Sequence, residues 1–382
     1  MTDGDCEPIA YADDLLAIVS GKSRRELEQR AQRVATRIAG WCSERKLSLS
    51  AEKTTMMMVR GGLCASRPPT VQIGGCSITL QTTMKYLGVT FGAGMSVAPH
   101  ARSTAAKARE MFGKLAGLAK AKWGLSHGTM EVLYKGLFVP AVTYGAVGWV
   151  DLATRKDWKA LLAAQRQALL RVTRAYRTTS TEAMCVVAGQ PPIDLLCQER
   201  AYRHKVRRGD GFTHGQCVHR PEDHRGDRDY GRQTNRELRA ETLRRWQARW
   251  DAALTGRTTR RFFEDVGQRV EAGWMRVDYY VTQFLTGHGD FQGKLHSFGL
   301  VETGECECGH PTETSEHVLH DCFRYSTERA TLEAAAERMD RGHPLRERTL
   351  VEREIFPAFK QYAYDVLQRK EEERRALARR SA

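Results

Sequence analysis

The chain has 382 residues, 41% of them hydrophobic and 28% charged, and its 60 Lys and Arg against 46 Asp and Glu leave a net charge of +14. That length allows one to three packed domains, and the basic balance favours a polyanionic partner, nucleic acid before a membrane surface. No stretch approaches the roughly 20 apolar residues of a membrane span, and residues 1–7 lack a signal-peptide layout. An intracellular protein without membrane segments is expected. Its ten cysteines then read as buried thiols (Cys6, Cys42, Cys64, Cys76, Cys185 and Cys197 lie singly) or as metal ligands, not as disulfides.

Residues 8–11 and 15–19 are apolar runs separated by Ala12-Asp13-Asp14, which predicts a β-hairpin with an acidic tip. Ser23-Arg24-Arg25-Glu26 fits a capping box. Leu27, Ala31, Val34, Ile38 and Trp41 follow at helical spacing on one face. Leu47-Ser48-Leu49-Ser50 alternates, and residues 56–59 are a strand candidate. Gly74-Gly75 between two short apolar runs predicts a hairpin turn, and residues 84–89 read as one further strand. Residues 100–190 predict mainly helix, Ala-rich as far as Trp123. From 200 to 260 there are 16 Lys or Arg against 8 Asp or Glu. Within that span residues 209–232 are almost without aliphatics and predict a loop or disordered linker. Residues 235–285 predict helix again, residues 304–323 concentrate Cys and His, and residues 352–380 predict a charged helix.

Two adjacent aspartates at a tight apolar tip repel each other and resist joint ionisation. A divalent cation removes that penalty. Two-metal nucleotidyl transfer needs carboxylates that hold ions about 4 Å apart, one activating a primer hydroxyl and one stabilising the leaving pyrophosphate. Mg²⁺ suits this, because it takes few carboxylates and keeps sites for water and phosphate. Asp13 and Asp14 are therefore candidate ligands of two Mg²⁺ ions, Asp13 the more direct, and Tyr11 would support the primer terminus or incoming nucleotide. Ala-Asp-Asp by itself would be an ordinary acidic turn; Tyr11 and the flanking strands set it apart.

Tyr11-Ala12-Asp13-Asp14 resembles the Y-A-D-D motif of non-LTR retrotransposon reverse transcriptases. Leu47-Ser48-Leu49-Ser50-Ala51-Glu52-Lys53-Thr54 resembles the next palm motif of that family, and Tyr86-Leu87-Gly88-Val89 its Y-L-G primer-grip hairpin. Arg174-Ala175-Tyr176-Arg177-Thr178-Thr179-Ser180 and Gly189-Gln190-Pro191-Pro192 are similar to the post-palm region of the arthropod type-1 retrotransposable elements. The resemblance thus covers nearly the whole chain. It implies an RNA-directed DNA polymerase that performs target-primed copying of element RNA, with an RNA template and a DNA target or primer as partners, acting in the nucleus. Lys53 would lie near the incoming triphosphate as a general acid, and Tyr86, Leu87 and Gly88 would grip the primer. On the residues alone, Lys53 is equally a solvated surface lysine, while Tyr86 and Leu87 read first as core, a role compatible with gripping the primer.

The resemblance also implies a metal-binding aspartate on an earlier strand, fingers and an N-terminal endonuclease. The residues before the hairpin, Asp3 and Asp5 included, are too few to supply them. The chain alone is therefore expected not to polymerise, as a piece of a longer reading frame or a truncated copy. Some family members carry a nuclease beyond the zinc knuckle, but the 60 residues after Cys322 show no carboxylate–lysine cluster for one.

Cys306, Cys308, His317 and Cys322 give the spacing C-x-C-x8-H-x4-C. Thiolate and imidazole are preferred ligands of tetrahedral Zn²⁺, and four protein ligands make a closed structural site. A helical turn from His317 would bring His317 and Cys322 together, with His320 a spare. The resemblance agrees, since the family carries a CCHC element here. Phe291, Lys294, Arg324 and Tyr325 would offer charge and stacking surface to single strands. A second group, His214, Cys217, His219 and His224, has ligand chemistry without a recognised spacing. Arg244, Arg245, Trp246, Arg249, Arg260 and Arg261 are candidates to track phosphates and stack bases, or else a solvated face over buried aromatics.

The expected fold is α+β and helix-rich. Residues 1–95 would form a partial reverse-transcriptase palm with the primer-grip hairpin, 96–195 a helical thumb, and 196–290 a basic connector. Residues 291–330 would form the CCHC knuckle and 331–382 a charged helical tail. The rival reading is a non-catalytic, zinc-dependent nucleic-acid-binding protein derived from a retrotransposon.

Overall fold

The structure, a computed structural model, describes residues 6–61, 67–115, 125–220, 222, 229–339 and 345–380. The chain divides into two compact units, Met1–Ala101 with Leu152–Asp157, and Arg102–Asp151 with Trp158–Ala382. Strands and helices are both present and helix predominates, as expected for a helix-rich α+β chain.

In the first unit, β1 (Cys6–Tyr11) and β2 (Asp14–Val19) form the expected antiparallel hairpin. The helix α1 (Arg24–Glu44) begins at Ser23, whose hydroxyl accepts from the Glu26 amide at 3.2 Å, while the Glu26 carboxylate accepts from the Lys22 amide at 2.8 Å. This is the expected capping box with its return bond one residue early. On its apolar face Val34 is buried, and Leu27, Ala31, Ile38 and Trp41 are half-buried.

Strands β3 (Met56–Met57), β4 (Thr70–Ile73) and β5 (Cys76–Gln81) form a sheet in the order β3-β5-β4, with β3 parallel and β4 antiparallel to β5. Gly74 and Gly75, both at positive φ, make the expected turn. Strand β4 is an edge, and α1 covers its free backbone groups. The Gln32 amide exchanges two hydrogen bonds with the Gln72 backbone, at 2.7 and 2.9 Å, and Glu28 accepts from the Thr70 amide at 3.1 Å. An edge protected in this way does not pair with another chain. Ala31, Ala35, Leu49, Ala51 and Met56 pack on the buried Val71, Ile73 and Ile78.

Three expectations are corrected here. The alternating residues 47–50 are not a strand: the end of α1 takes the Leu47 amide, and Ser50 O accepts from the Thr54 amide in the turn that follows. Lys46 sits at φ +57° with its amide donating to Ser43 O, and the Leu47 amide donates to Cys42 O at 2.8 Å. That paired bonding is the Schellman termination of a helix. Residues 84–89 are not one strand but parts of two, β6 (Thr83–Tyr86) and β7 (Val89–Gly92), joined through Leu87 and Gly88 at φ +44° and +83°. Two successive positive φ values match the twist of a tight hairpin. Among the single cysteines, Cys42, Cys185 and Cys197 are buried as expected, but Cys76 is exposed and Cys6 half-buried; Cys64 lies outside the described residues.

The second unit is helical. Helix α2 (Ala98–Leu115) leads into it, and the rest of the expected Ala-rich helix, to Trp123, lies outside the described residues. There follow α3 (His127–Leu133), a π-helical turn (Tyr134–Phe138), α4 (Val139–Thr143), α5 (Arg155–Thr173), α6 (Thr181–Ala188) and α7 (Ile193–Arg208). Residues Ala183 to Ala188 of α6 are all buried, so this helix runs through the core. Gln165 of α5 ties three neighbouring segments together, donating to the Tyr134 hydroxyl at 2.9 Å and to Pro191 O at 2.8 Å and accepting from the Ile193 amide at 2.9 Å.

The linker expected at 209–232 is corrected as well. Residues there form a hairpin, β8 (Phe212–His214) and β9 (Cys217–His219), and the next helix, α8 (Tyr230–Ala252), has already begun. Residues 221 and 223–228 lie outside the described residues. Alternation hides the ordering signal: His214, Cys217 and His219 are buried, and Cys217 packs with Val206, Leu238, Tyr202 and Phe212. Apolar contact thus comes from cysteine and aromatic rings instead of aliphatics. Short helices α9 (Arg257–Phe262), α10 (Val266–Glu271), α11 (Tyr279–Thr286), α12 (Gln292–Ser297), α13 (Ser315–His320), α14 (Ser326–Glu337) and α15 (Glu347–Leu350) precede the long α16 (Phe356–Arg380), which packs on α11 and α14.

Candidate functional site

The acidic tip is a two-residue turn, Ala12-Asp13, with Ala12 at φ +50°. Tyr11 and Asp14 face each other across the hairpin, and directly opposed residues of an antiparallel pair share a face. Tyr11 is 64% exposed, and both aspartates are exposed. Among the described residues neither Asp13 nor Asp14 has a cationic partner. Two adjacent carboxylates therefore stand unneutralised, the arrangement in which a bound cation relieves repulsion.

Lys53 lies on an exposed turn after α1, where its amide donates to the Ser50 hydroxyl at 3.4 Å. No ion pair joins it to Asp13 or Asp14. Tyr86 and Leu87 are half-buried, with Leu87 and Gly88 forming the β6–β7 turn. A leucine at φ +44° is strained, so this turn is held by its surroundings and not by its own preference.

Cys306, Cys308, His317 and Cys322 converge in the second unit, with all four ligand atoms within 4.8 Å of one another. Cys306 Sγ lies 3.7 Å from Cys322 Sγ, and Cys308 Sγ lies 3.1 Å from His317 Nε2. A turn closed by the Gly309 amide on Cys306 O, 2.8 Å, presents the first two thiols. Helix α13 presents the imidazole: its N-cap Thr314 accepts from the His317 amide at 3.0 Å, and the Cys322 amide donates back to His317 O at 2.9 Å. Burial pushes the Cys306 and Cys322 thiols up. At Cys308 burial is outweighed by the His310 amide and the neighbouring thiols, which hold the group below the usual thiol range. Burial also lowers His317, which keeps its imidazole neutral.

Residues outside the C-x-C-x8-H-x4-C pattern hold this cluster, and nothing in that pattern points to them. Arg329 donates to Leu319 O, Val318 O and Cys322 O, and the Tyr362 hydroxyl donates to Val318 O at 2.7 Å. Glu313, on the loop between the ligand pairs, forms a buried ion pair with Lys370 of α16. Fifty-seven positions separate the two, so no local pattern marks them. His320 is turned to Glu347, 3.7 Å away, outside the cluster.

The nucleic-acid candidates fare unevenly. Trp246 is only 2% exposed and Trp250 1%, so the expected stacking on Trp246 is corrected: its ring is buried on α8, which packs on α7. Phe291 and Tyr325 are fully buried too. Each arginine of the set has a partner inside the chain. Arg244 clasps Glu241 and Arg249 clasps Asp194, each through two bonds. Arg245 donates to Gln198, Arg260 pairs with Asp251, and Arg261 pairs with Glu316. In the second Cys/His group, His214 contacts Arg245 at 3.0 Å and His219 contacts the Tyr230 hydroxyl at 3.1 Å; His224 lies outside the described residues. Among the described residues only the Cys306 cluster gathers three or more metal-ligating groups.

Residues 2–91 match the family model described as Reverse transcriptase (RNA-dependent DNA polymerase). A Retrovirus-related Pol polyprotein from type-1 retrotransposable element R1 4 of Nasonia vitripennis is 34% identical, over 82% of this chain and 82% of that protein. A second Nasonia vitripennis Pol polyprotein of these elements is 31% identical over 83% of this chain and 78% of its own length. The corresponding Pol polyprotein of Bradysia coprophila is 33% identical over 83% of this chain, which spans 31% of that longer protein. No solved structure matches. The acidic hairpin lies inside the matched polymerase segment, and the similarity runs on through the helical unit: the chain belongs to the Pol proteins of the arthropod type-1 retrotransposable elements.

Proposed function

We propose that this chain forms part of an RNA-directed DNA polymerase that copies element RNA by target-primed reverse transcription, with RNA template and DNA target or primer as its partners. The observation that carries the reading is the β1–β2 tip, where Asp13 and Asp14 stand unneutralised beside Tyr11. Adjacent exposed carboxylates without a cationic partner among the described residues suit Mg²⁺. When bound, the ions supply Lewis acidity to the attacking hydroxyl and the leaving pyrophosphate. Tyr11, on the face of Asp14, offers a ring against the incoming nucleotide. Lys53 is placed in this reading to give a proton to the leaving pyrophosphate, and Tyr86, Leu87 and Gly88 to bear on the primer backbone.

The Cys306 cluster fits Zn²⁺. Two sulfur ligands of a tetrahedral zinc, each about 2.3 Å from the ion, lie about 3.8 Å apart, and Cys306 and Cys322 lie at 3.7 Å. The Cys308–His317 separation of 3.1 Å is a few tenths of an ångström short of the tetrahedral edge, a shift a side chain makes readily. Three thiols and a neutral imidazole match zinc chemistry, and the role is structural, since all four positions are protein ligands.

Primer extension on an RNA template, by the Pol protein that carries this chain, tests the polymerase reading. Asp13→Asn and Asp14→Asn are each expected to abolish extension while the protein still binds template. Extension at the parental rate by either variant would overturn it and leave the non-catalytic, nucleic-acid-binding alternative.

A further inference from the structure

The second unit has a pocket whose charge the carboxylates among the described residues do not balance. It lies between the end of α3 with its π-helical turn, the C-cap of α6 and the segment closing α10, and has a volume of about 100 Å³. Lys135, Arg239, Arg269 and Arg276 line it, against the single carboxylate of Glu131. Glu131 is shared between Lys135 at 2.7 Å and Arg276 at 3.2 Å. Arg239 reaches Glu199 at 3.2 Å, but Glu199 also holds Arg203 at 2.6 Å. Two carboxylates therefore serve five cations.

Arg269 is the extreme case. It is 4% exposed, and its guanidinium donates to Val187 O at 2.7 Å and Ala272 O at 3.3 Å, with its Nε enclosed and unpartnered. Burial holds its pKa down to about 10, so it remains charged at neutral pH. A buried cation whose direct partners are two carbonyls and the Phe263 ring, with the nearby Glu131 already shared by Lys135 and Arg276, is costly, and an anion in the pocket would offset that cost. The approach is open, because the Lys135 and Arg276 side chains are 57% and 49% exposed. Lys135 is placed by the π-helical turn, in which the Val139 amide donates to Tyr134 O, and such turns occur frequently at functional sites. A pocket of this size has room for about three waters, or one tetrahedral oxyanion.

We propose that this pocket binds a phosphate group of a nucleic-acid strand, Arg276 and Lys135 reaching its oxygens and Arg269 supplying fixed charge behind them. Guanidinium groups favour this, because they meet phosphate oxygens through paired hydrogen bonds. The identity of the strand as template or primer rests on the polymerase reading; the phosphate site itself does not.

The test is equilibrium binding of the full chain to a fluorescent single-stranded oligonucleotide across a salt series. Each phosphate contact contributes about 0.7 to the slope of log K against log salt for single strands. Lys135→Gln with Arg276→Gln is expected to lower the slope by about that amount, whereas Arg276→Lys keeps it. Glu131→Gln, which removes the competing carboxylate, is expected to tighten binding several-fold, an outcome that misfolding does not produce. An unchanged slope in the double variant, or weaker binding by Glu131→Gln, overturns the proposal. Inorganic phosphate that binds the parent but not the double variant, with the oligonucleotide slope unchanged, would assign the pocket to free phosphate and overturn the strand assignment. A parent that binds no oligonucleotide counts against the polymerase reading as well; slope failure with parental binding and extension intact counts against the pocket alone.

Discussion

Cys306 Sγ lies 3.7 Å from Cys322 Sγ, although sixteen positions separate them in the chain. The distance is far beyond a disulfide bond and close to the edge of a tetrahedral zinc site. One zinc per purified chain is therefore expected by elemental analysis, falling to near zero in Cys322→Ser and in Cys308→Ser. His310 stacks on His317 at 4.0 Å, but its Nδ1 is engaged with Thr312, so His310→Ala should keep the metal. Because metal binding is coupled to folding, chelation should also lower the thermal midpoint of the parent and not of Cys322→Ser. A parent without zinc would dismiss the site.

The Glu313–Lys370 pair should be costly to break from one side. Glu313 is 2% exposed and Lys370 8%, and a lone buried charge typically costs about 3–5 kcal/mol. Lys370→Met is expected to lose about that much stability in urea unfolding. The double variant Glu313→Gln, Lys370→Met should recover most of it, since no buried charge remains. Equal stability of parent and single variant would mean the pair is solvated.

His127 predicts an acid-sensitive second unit. Its ring is buried without a hydrogen-bond partner, and burial, with smaller contributions from Arg269, Arg276 and Lys360 against Glu131, holds its pKa at about 4 instead of 6.5. The unfolded chain therefore takes up a proton that the folded chain refuses. The contribution to stability is complete above pH 6.5 and is lost as the pH falls towards 4, on the order of 3 kcal/mol in all. Urea midpoints at pH 7.5 and pH 5 should differ in the parent and differ less in His127→Gln. An identical pH dependence in both would place the titration elsewhere.

Gly189 cannot be replaced cheaply. It caps α6 at φ +63°, and a Cβ there would meet Arg269 Nη1 at 2.9 Å. Gly189→Ala should cost about 1–3 kcal/mol from backbone strain alone and should also displace the guanidinium that holds Val187 O. A melting temperature unchanged by the substitution would show that the arginine moves freely.

Much of the site was legible because its signals are local. The Tyr11–Asp14 tip follows from two apolar runs and an acidic break, and Gly74-Gly75 and Ser23–Glu26 carry their turn and cap in adjacent residues. The C-x-C-x8-H-x4-C spacing likewise marks four Cys and His residues that a single short helix and one turn bring together. Where competing local forces exist, pattern misleads: Leu47 and Leu49 alternate like a strand, yet the termination of α1 at Lys46 takes up the Leu47 amide. The hairpin at 212–219 was missed because cysteine, histidine and aromatic rings do the packing that aliphatics usually announce.

Residue order sets the local elements, the acidic tip and the Cys/His spacing, because each depends on neighbours along a short stretch of chain. Only the tertiary structure decided which charges are free. Arg249 meets Asp194 and Arg261 meets Glu316 across 55 positions each, and Trp246 turns inward between helices. A basic count along the chain cannot distinguish these spent arginines from Lys135, Arg269 and Arg276, which outnumber their carboxylates. The reason is physical: charge compensation is set by distances of a few ångströms in space, and the chain folds partners together that its order keeps apart.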